Sequence, residues 1–348
     1  MNGSSILSHQ PAYWRITYQH SPTGGQYDVS KPHLLPNPLS EQAASNKGNV
    51  YGVSENGEFV YGAVNNKNNR RVLCSWRTSD KVAFYDETIN GVYYDSVGKY
   101  LCGFEHQNSE NHGVIWKASK EKVTKVYEAA DSQFTISYLF SIAPDGSFAA
   151  GTCIPTTDPS KSQGFAHYSD SGHNVLLPFP DTNHLVTDLT DYSDYKNRKV
   201  IVGASGLSKA TLTPLLWEIY RKSHCQYVVQ LHQPPLPNGF SYGLLNDIEH
   251  YHGQNTIFTG FCSKTPIPNQ IIKNEARGFV YIDESPIDLT HRFSELNLIN
   301  ENESILDARV LRSGLDRLTG IGYDAETGRG FGWILMLRRG NIVDLLRP

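Results

Sequence analysis

The feature that most constrains the fold of this chain is a sequence unit that recurs six times. Each copy has an apolar run, a polar turn and a short strand-like run that ends in glycine. The clearest copies are VYGVSENGEFVYG (50–62), INGVYYDSVGKYLCG (89–103) and LFSIAPDGSFAAG (139–151), and weaker copies end at Gly203, Gly260 and Gly322. The six closing glycines are 41, 48, 52, 57 and 62 residues apart, so the unit lengthens along the chain while its motif persists.

Each unit continues with an apolar strand that ends in an aromatic residue, and a further apolar stretch then closes it. The aromatic residues are Trp76, Trp116, Tyr168, Trp217, Tyr281 and Trp333, and the last stretches run from KVAFYD in the first unit to NIVDLL in the sixth. Four short strand candidates in a unit of about 40 to 60 residues are typical of a propeller blade. The sequence therefore predicts one all-β domain over residues 1–348, a β-propeller of six four-stranded blades, with seven blades as the alternative.

Three segments carry a resemblance to a known family. They are GVSENG at 52–57, SIAPDG at 141–146, and GFGW at 330–333 with DL at 344–345. In these segments the chain resembles the HAF-repeat proteins. The resemblance implies a β-propeller-like repeat array of a kind often found in exported bacterial proteins, and it provides no catalytic residue that could be carried over.

The closing glycines and the N-terminal region lead to further expectations. A glycine at the end of the second strand leaves space in which the backbone of an adjacent blade could approach closely. Residues 12–18 and 26–29 look like the second half of a unit, so the segment 12–29 either closes the ring as an outer strand of the last blade or begins an incomplete seventh blade. The stretch 31–48, with three prolines, reads as a surface connection into the first blade.

Charge and hydropathy exclude several classes of partner. The formal net charge is −4, and no block of five like charges occurs, which argues against nonspecific binding of nucleic acid or of anionic membranes. No apolar run reaches 18 residues, and the first ten residues lack the pattern of a secretory signal. We expect no membrane span and no nucleic-acid partner, in a protein that is either exported without a visible signal peptide or cytoplasmic.

Cysteines, histidines and acidic residues offer few candidates for chemistry. Three of the five cysteines, Cys74, Cys102 and Cys262, lie in apolar strand runs, and all five are interpreted as reduced and structural. His250 and His252 could bind a metal beside Asp247 or Glu249, but the repeat places them in a hairpin turn that is more simply solvated. The acidic series of the fourth unit lacks the order of an EF-hand and is interpreted as a polar blade edge; its members are Asp181, Asp188, Asp191 and Asp194. Neither a metal site nor a cofactor is predicted.

Residues outside the repeat register are the candidates for binding. The registered tryptophans are expected to pack between blades, whereas Tyr192, Tyr195 and Phe240 fall outside the register and are candidates for the surface. Three segments exceed the unit length and are expected to be loops: 182–197, 231–240 and 264–277. The last of them contains Ile267, Ile271 and Ile272, which a partner contact would explain.

Three function classes are compatible with the sequence. We favour a noncatalytic scaffold that binds a macromolecular partner, a protein in the first instance, through one propeller face or through its long loops. The alternative is a carbohydrate-binding or glycoside-acting propeller, which would require Asp, Glu and Tyr side chains to converge at the central channel. A metal-dependent or other hydrolase is the third class, and no catalytic residue is assigned.

Overall fold

The computed structural model of the protein describes most of the chain. The described residues are 11–13, 15–19, 26–39, 48–54, 57–68, 71–86, 91–97, 99–107, 110–118, 123–129, 131–195, 198–223, 226–251, 255–266, 275–282, 285–310, 317–337 and 342–347. Two compact units divide the chain: an N-terminal unit of residues 2–130 and 136–149, and a C-terminal unit of residues 131–135 and 150–348.

Two short antiparallel pairs and two four-stranded sheets begin the chain. The strand β1 (Ala12–Tyr13) pairs with β4 (His33–Leu34), and β2 (Ile16–Gln19) pairs with β3 (Gln26–Val29). The first blade consists of β5 (Gly48–Val53), β6 (Phe59–Asn65), β7 (Arg71–Arg77) and β8 (Ala83–Asp86). The second blade consists of β9 (Gly91–Val97), β10 (Tyr100–Gln107), β11 (Glu110–Ala118) and β12 (Val123–Glu128).

Three further four-stranded sheets follow in chain order. The third blade consists of β13 (Phe134–Ile142), β14 (Phe148–Pro155), β15 (Gln163–Tyr168) and β16 (His173–Leu176). The fourth consists of β17 (Val186–Tyr195), β18 (Arg198–Gly206), β19 (Thr213–Ser223) and β20 (Gln226–His232). The fifth consists of β21 (Tyr242–Tyr251), β22 (Asn255–Ser263), β23 (Ala276–Ile282) and β24 (Ser285–Asp288).

In the described part of the chain, the sixth blade has three strands and is accompanied by two short helices. Its strands are β25 (Glu303–Val310), β26 (Arg317–Asp324) and β27 (Arg329–Met336), and the helices are α1 (Leu289–Glu295) and α2 (Ile342–Leu346). In every blade, strands that follow one another along the chain are neighbours in the sheet. The fold is therefore the β-propeller that the repeats predict, with six blades.

Helices replace part of two stretches that the repeat predicts as strands. Asp288 ends β24, and its carboxylate accepts hydrogen bonds from the backbone N–H groups of Thr290 and His291, which caps α1. Leu289 and Phe293, four residues apart, bury one face of this helix. The prediction of a strand at NIVDLL is also wrong, because residues 342–346 form α2 and bury Ile342, Val343 and Leu346 in the core of the fifth and sixth blades.

The first strand of a blade contains a β-bulge at a repeated position. Between the first and second strands, the register skips one residue in five blades; the skipped residues are Tyr51, Tyr94, Thr190, Asn246 and Leu306. A bulge leaves backbone groups without ladder partners and bends the strand. These groups therefore need other partners, which the polar side chains described below supply in the fourth to sixth blades.

The closing glycines are explained by contacts within one blade. A Cβ atom at Gly62, Gly203 or Gly260 would lie 2.0 to 2.2 Å from a carbonyl oxygen of the first strand of the same blade. The expectation that an adjacent blade makes this close approach is thus wrong for these three glycines. The repeat requires glycine there because a side chain would clash with the neighbouring strand.

The registered tryptophans pack as predicted. Trp76, Trp116 and Trp217 are fully buried, and Trp333 is half-buried against the core of the fifth and sixth blades. The indole N–H of Trp217 donates to the carbonyl of Pro178 (2.9 Å), which lies in the connection from the third blade to the fourth. Trp217 thus holds the connection between two blades as well as filling the core.

The connection before the first blade combines exposed and buried residues in its described part, 31–39. Leu35, Asn37 and Leu39 are buried, and the two leucines pack with Trp76 in the core of the first blade. The indole N–H of Trp76 donates to the carbonyl of Pro36 (2.8 Å). Trp217 makes the matching hydrogen bond to Pro178 in the fourth blade. Residues 35–39 therefore pack on the first blade as the connection between the third and fourth blades packs on the fourth.

Buried cysteines lie in the strands where the sequence places them. Cys74, Cys102, Cys153 and Cys262 are buried thiols that form no disulfide among the described residues, whereas Cys225 lies outside them. In the described part of the chain, no helix is long and apolar enough to cross a membrane.

Candidate functional site

A hollow between the outer strands of the third and fourth blades is the candidate binding site. It has a volume of about 500 Å³, and we call it the edge hollow; it is lined by His173, Asn174, Val175, Lys222, Gln226, Tyr227 and Val228. Its walls are β16, β20 and the end of β19. This volume falls within the range of about 300–1,000 Å³ that is usual for ligand pockets.

Stacked rings connect the two blades beside the hollow. The ring of Tyr227 stacks on the buried ring of Tyr168, with centroids 4.5 Å apart, and on the imidazole of His173, with centroids 5.4 Å apart. Burial, with a smaller effect from Tyr227, raises the pKa of Tyr168, so its phenol is neutral. The hydroxyl of Tyr227 is buried and has no hydrogen-bond partner in the described part of the chain.

Behind the hollow, a hydrogen-bonded chain fixes the side chain of Asn174. Its amide nitrogen donates to the carboxylate of Asp131 (3.2 Å), so its oxygen faces Nδ1 of His167 (2.9 Å). Burial lowers the pKa of His167, so the imidazole is neutral, and Nδ1 is the nitrogen that donates to Asn174. The orientation of Asn174 is therefore set before any ligand arrives.

Three polar side chains in the lining are free to meet a ligand. Lys222, Gln226 and His173 make no side-chain hydrogen bond or ion pair with the residues that the structure describes. Asn174 is already occupied, and Val175 and Val228 offer only apolar surface. The edge hollow thus combines unused hydrogen-bond donors with aromatic and aliphatic walls.

An ion pair crosses from the third blade to the fourth near the same edge. A guanidinium nitrogen of Arg221 lies 3.1 Å from a carboxylate oxygen of Asp170. Burial opposes ionisation of Asp170, but the hydrogen bond and charge of Arg221, with hydrogen bonds from Ser171, outweigh it and lower the pKa of Asp170. These two charges neutralise each other, so Lys222 is the cation in the lining that has no counter-charge within the described residues.

Polar side chains at the bulges of the first strands form a second candidate group. Thr190 donates from Oγ1 to the carbonyl of Leu245 in the next blade (2.5 Å). Asn246 donates from Nδ2 to the carboxylate of Asp307 and to the carbonyl of Ala308 (3.3 Å). Thr190 and Asn246, the bulge residues of the fourth and fifth blades, therefore each donate a hydrogen bond to the first strand of the following blade.

Carboxylates follow the bulges in the same three blades. Asp307 accepts from the backbone N–H of Ala308 (2.9 Å), and Asp247 accepts from that of Ile248 (3.0 Å). Asp191, at the matching position of the fourth blade, accepts from Ile248 N–H (3.4 Å). These carboxylates supply partners to backbone groups near the bulges.

Two aspartates on first strands, Asp188 and Asp307, have raised pKa values. Burial raises the pKa of Asp188, and the charge of Lys209 opposes this only in part. Burial also raises the pKa of Asp307. The charge of Arg309, whose Nε lies 3.9 Å from Oδ2 of Asp307, and the hydrogen bonds that Asp307 accepts from Ala308 and Asn246 lower this pKa, but by less. A carboxyl group that keeps its proton at higher pH can act as a hydrogen-bond donor or as a general acid.

The structure corrects part of the predicted partner-binding set. Tyr192 is only 6% exposed on β17, so its assignment to the surface is wrong. All of β17 falls in the segment predicted as the loop 182–197, because the strand extends further than the repeat pattern indicates. Tyr195 is the last residue of β17, and its side chain lies outside the described part, so its role in partner binding stays a prediction. Phe240 is half-buried, and the ammonium of Lys264 lies 5.7 Å from its ring.

The isoleucine loop stays a prediction. Ile267, Ile271 and Ile272 lie outside the described residues. At the base of this loop, the hydroxyl of Thr265 donates to the carboxylate of Glu275, and the N–H of Lys264 donates to the Glu275 carbonyl (3.1 Å). The described residues on the two sides of this segment, 264–265 and Glu275, are therefore joined by hydrogen bonds.

Metal-site candidates gain no support in the described part of the chain. No group of three His, Cys, Asp or Glu side chains there is arranged to hold a metal ion. His252 and the side chain of His250 are outside the described part, although the backbone of His250 belongs to β21 and not to the expected turn. Asp181 is exposed in a turn, where it accepts from Asn183 N–H (2.7 Å), and Asp194 pairs with Lys199.

Sequence patterns alone do not indicate the edge hollow. Its lining comes from strands about 50 residues apart, and the repeat pattern treats both as ordinary outer strands. One irregularity in the repeat does point to this region: in the third unit, His167 and Tyr168 stand where most units have a tryptophan. In the structure, Tyr168 is part of the ring stack with Tyr227.

Comparisons with known proteins identify only distant likenesses. No family model matches the chain, and no curated protein sequence matches it. Among solved structures, TolB from Acinetobacter baumannii is 11% identical with a TM-score of 0.42, and the match covers 78% of this chain and 60% of TolB. The β-propeller domain of the Trilobed protease from Pyrococcus furiosus is 10% identical with a TM-score of 0.47, and the match covers 84% and 86% of the two chains.

A third similar structure is prolyl oligopeptidase B from Galerina marginata. It is 10% identical with a TM-score of 0.48, over 93% of this chain and 50% of that protein. The chain thus spans 60% of the length of the first of these proteins and half of the last. At such identities and TM-scores the likeness assigns no function to this chain.

Proposed function

We propose that this β-propeller is a noncatalytic scaffold that binds a protein partner, and that the edge hollow is one contact site. The observation that carries the proposal is the lining of the hollow: Lys222, Gln226 and His173 are unused by the described residues beside the ring of Tyr227. Protein interfaces depend on a few aromatic and charged anchors in well-formed pockets. A hollow with both kinds of group matches that requirement.

The rigidity of the surrounding blades supports the same function. The ring stack and the pair formed by Arg221 and Asp170 hold the two blade edges together, and Asn174 is fixed from behind. A site that is held in place before binding loses less conformational entropy when the partner docks. Ile267, Ile271 and Ile272 stay part of the proposal as a second contact.

Partner capture with a matched pair of charge reversals tests this function. Lys222→Glu reverses the free charge of the edge hollow, while Lys67→Glu reverses an exposed lysine in the turn between β6 and β7. After capture and identification of a partner, affinity is measured with both proteins purified. We expect Lys222→Glu to weaken binding by about tenfold and Lys67→Glu to leave it within about twofold.

Two results would count against this function. If the Lys222→Glu variant and the wild type bind the partner with equal affinity, the edge hollow is not part of the interface. Failure of the wild type to bind any purified candidate saturably would remove the scaffold role. Replacing Ile267, Ile271 and Ile272 with Ser in a folded variant tests the contribution of the loop in the same assay.

A glycoside-acting propeller is the second candidate, because burial raises the pKa of two aspartates on first strands. Asp188 and Asp307 lie on the first strands of two blades, and burial raises the pKa of both. Glycosidases need one carboxyl that holds its proton as general acid and a second that is ionised. Asp191, buried on β17 three residues after Asp188, would be the candidate for the second carboxyl group.

Hydrolysis of a panel of aryl glycosides by the wild type and by Asp188→Asn tests the second candidate. Turnover by the wild type that falls by about a hundredfold or more in the variant would support it, since general acid catalysis contributes about 10²–10⁴. Wild-type turnover that the folded variant retains would exclude Asp188 as the acid. Asp307→Asn is the companion variant for the other carboxyl.

A further inference from the structure

We infer that the edge hollow recognises a carboxylate on an extended peptide, held between Lys222 and Gln226 beside Tyr227. This inference rests on the proposed function and deepens it by naming the chemistry of the partner. The evidence comes from the charge balance of the lining, from its donors and from the strand edges on either side. Each is a property of the C-terminal unit alone.

Charge selects the ligand group. Lys222 is the cation of the lining without a counter-charge among the described residues, because Arg221 is already paired with Asp170. A single ammonium group balances one negative charge, which is the charge of a carboxylate. A phosphate carries up to two charges and is usually bound by clustered arginines, which this lining lacks.

Hydrogen-bond donors agree with this choice. The amide of Gln226 and the ammonium of Lys222 can each donate to a carboxylate oxygen, and neither has a competing acceptor in the described part of the chain. Hydrogen bonds to a charged group are stronger than those between neutral groups, so a carboxylate would gain more from these donors than a neutral amide would. Val175, Val228 and the Tyr227 ring provide apolar surface for the residues that flank the acidic one.

Strand edges favour an extended peptide over a compact ligand. Within the described part of the fold, β16 pairs only with β15, and β20 pairs only with β19. Each therefore keeps one edge of backbone N–H and C=O groups that an added strand can use. In recognition by strand addition, the backbone contributes affinity and the side-chain pockets contribute specificity.

Calorimetric titration with three short peptides tests the inference. The probes are acetyl-Val-Glu-Val-amide, acetyl-Val-Gln-Val-amide and acetyl-Val-Gln-Val with a free terminal carboxylate. We expect the Glu peptide to bind about tenfold or more tightly than its Gln amide analogue, and less tightly as salt is added. If the free-acid peptide binds more tightly than the Glu peptide, the hollow still recognises a carboxylate, but the carboxylate is that of a chain terminus.

A matched pair of variants locates the binding. Gln226→Glu places a negative charge in the lining, and Gln233→Glu makes the same change at an exposed position just after β20. Gln226→Glu should reduce affinity for the carboxylate peptides by about tenfold, and Gln233→Glu should change it by less than about twofold. Circular dichroism of both variants, compared with the wild type, verifies that they are folded.

Several results would overturn the inference. Equal affinity for the Glu and Gln amide peptides, no measurable binding of any carboxylate peptide, or unchanged binding by Gln226→Glu would each do so. The scaffold function is judged separately by capture of a protein partner. If partner binding depends on Lys222 but the peptides show no carboxylate preference, the scaffold stands and this inference fails. Peptide selectivity without any protein partner would support carboxylate recognition and count against the scaffold.

Discussion

Gly203 on β18 lies directly against the backbone carbonyl of Asp188 on β17. A Cβ atom at Gly203 would be 2.2 Å from the Asp188 oxygen, far inside contact distance. The same relationship joins Gly62 to Asn49 at 2.0 Å and Gly260 to Leu244 at 2.2 Å. The most regular feature of the sequence therefore has one physical cause in three blades, the close approach of a bulged first strand to the second strand.

Replacing this glycine should destabilise the fourth blade. Gly203→Ala forces either the alanine or the Asp188 backbone to move, and overpacking of this kind costs about 1–3 kcal/mol. Urea denaturation measures the loss. Gly330→Ala is the control, because the nearest neighbouring atom would be 3.7 Å away and a Cβ fits there. Equal stability of Gly203→Ala and the wild type would show that the strand separation adjusts freely.

Two adjacent leucines test how the N-terminal segment is attached. Leu35 is 0% exposed in the core of the first blade, whereas Leu34 is 51% exposed. Leu35→Ala should lower the free energy of unfolding by about 2–5 kcal/mol, the usual cost of removing a buried leucine side chain. Leu34→Ala should change it by about 0.5 kcal/mol or less. Comparable small effects for both would mean that the segment does not contribute to the stability of the first blade.

Local periodicity explains what could be predicted from the sequence. The glycine and tryptophan positions repeat because each blade meets the same packing constraints, so the six blades, the buried Trp76, Trp116 and Trp217, and the buried cysteines follow from the pattern. Residues 342–346 have the apolar content of a last strand, but they bury Ile342, Val343 and Leu346 as a helix. Apolar content alone does not distinguish a short strand from one turn of helix.

Tertiary structure decides the rest of the candidate site. The repeat register predicts an exposed Tyr192, yet β17 extends through this residue and buries its ring. The edge hollow depends on His173 and Tyr227, which are 54 residues apart and meet only when the outer edges of two blades come together. No periodic signal specifies such a meeting of side chains.

Protonation of Asp188 should make stability depend on pH. Burial raises the pKa of this carboxyl in the folded state, so the folded protein holds the proton more strongly than the unfolded chain. Its favourable contribution is complete below the unfolded value of about 3.9 and is lost as pH rises through the folded pKa. The stability of Asp188→Asn relative to the wild type should therefore increase from about pH 4 to about pH 7, as measured by urea denaturation. A relative stability that is constant or falls with pH would contradict the raised pKa.

Buried thiols should be unreactive in the folded protein. Burial raises the pKa of Cys74 to about 12, and burial with a smaller effect from Asp131 raises that of Cys153 to about 12. Alkylation requires the thiolate, which is scarce at about pH 8 when the pKa is this high. Iodoacetamide should modify these residues slowly before denaturation and rapidly in urea, as followed by mass spectrometry. Fewer than five reactive thiols in unreduced, denatured protein would reveal a disulfide instead.

The hydroxyl of Tyr227 should contribute nothing to stability. It is buried without a partner in the described part of the chain, and an unsatisfied buried polar group costs about 1–3 kcal/mol. Tyr227→Phe removes that group and keeps the ring that stacks on Tyr168 and His173. Its free energy of unfolding should equal or exceed that of the wild type.

Tyr227→Leu separates the ring from the hydroxyl. This variant loses the stack itself, so it should be less stable than Tyr227→Phe by at least the contribution of an aromatic pair, about 0.5–1.5 kcal/mol. Thermal and urea denaturation of the three proteins should rank them Phe, Tyr, Leu in decreasing stability. A Phe variant clearly less stable than the wild type would show that the hydroxyl has a partner. The edge hollow would then be held by a hydrogen bond in addition to the ring stack, and carboxylate binding would have to be measured again in that variant.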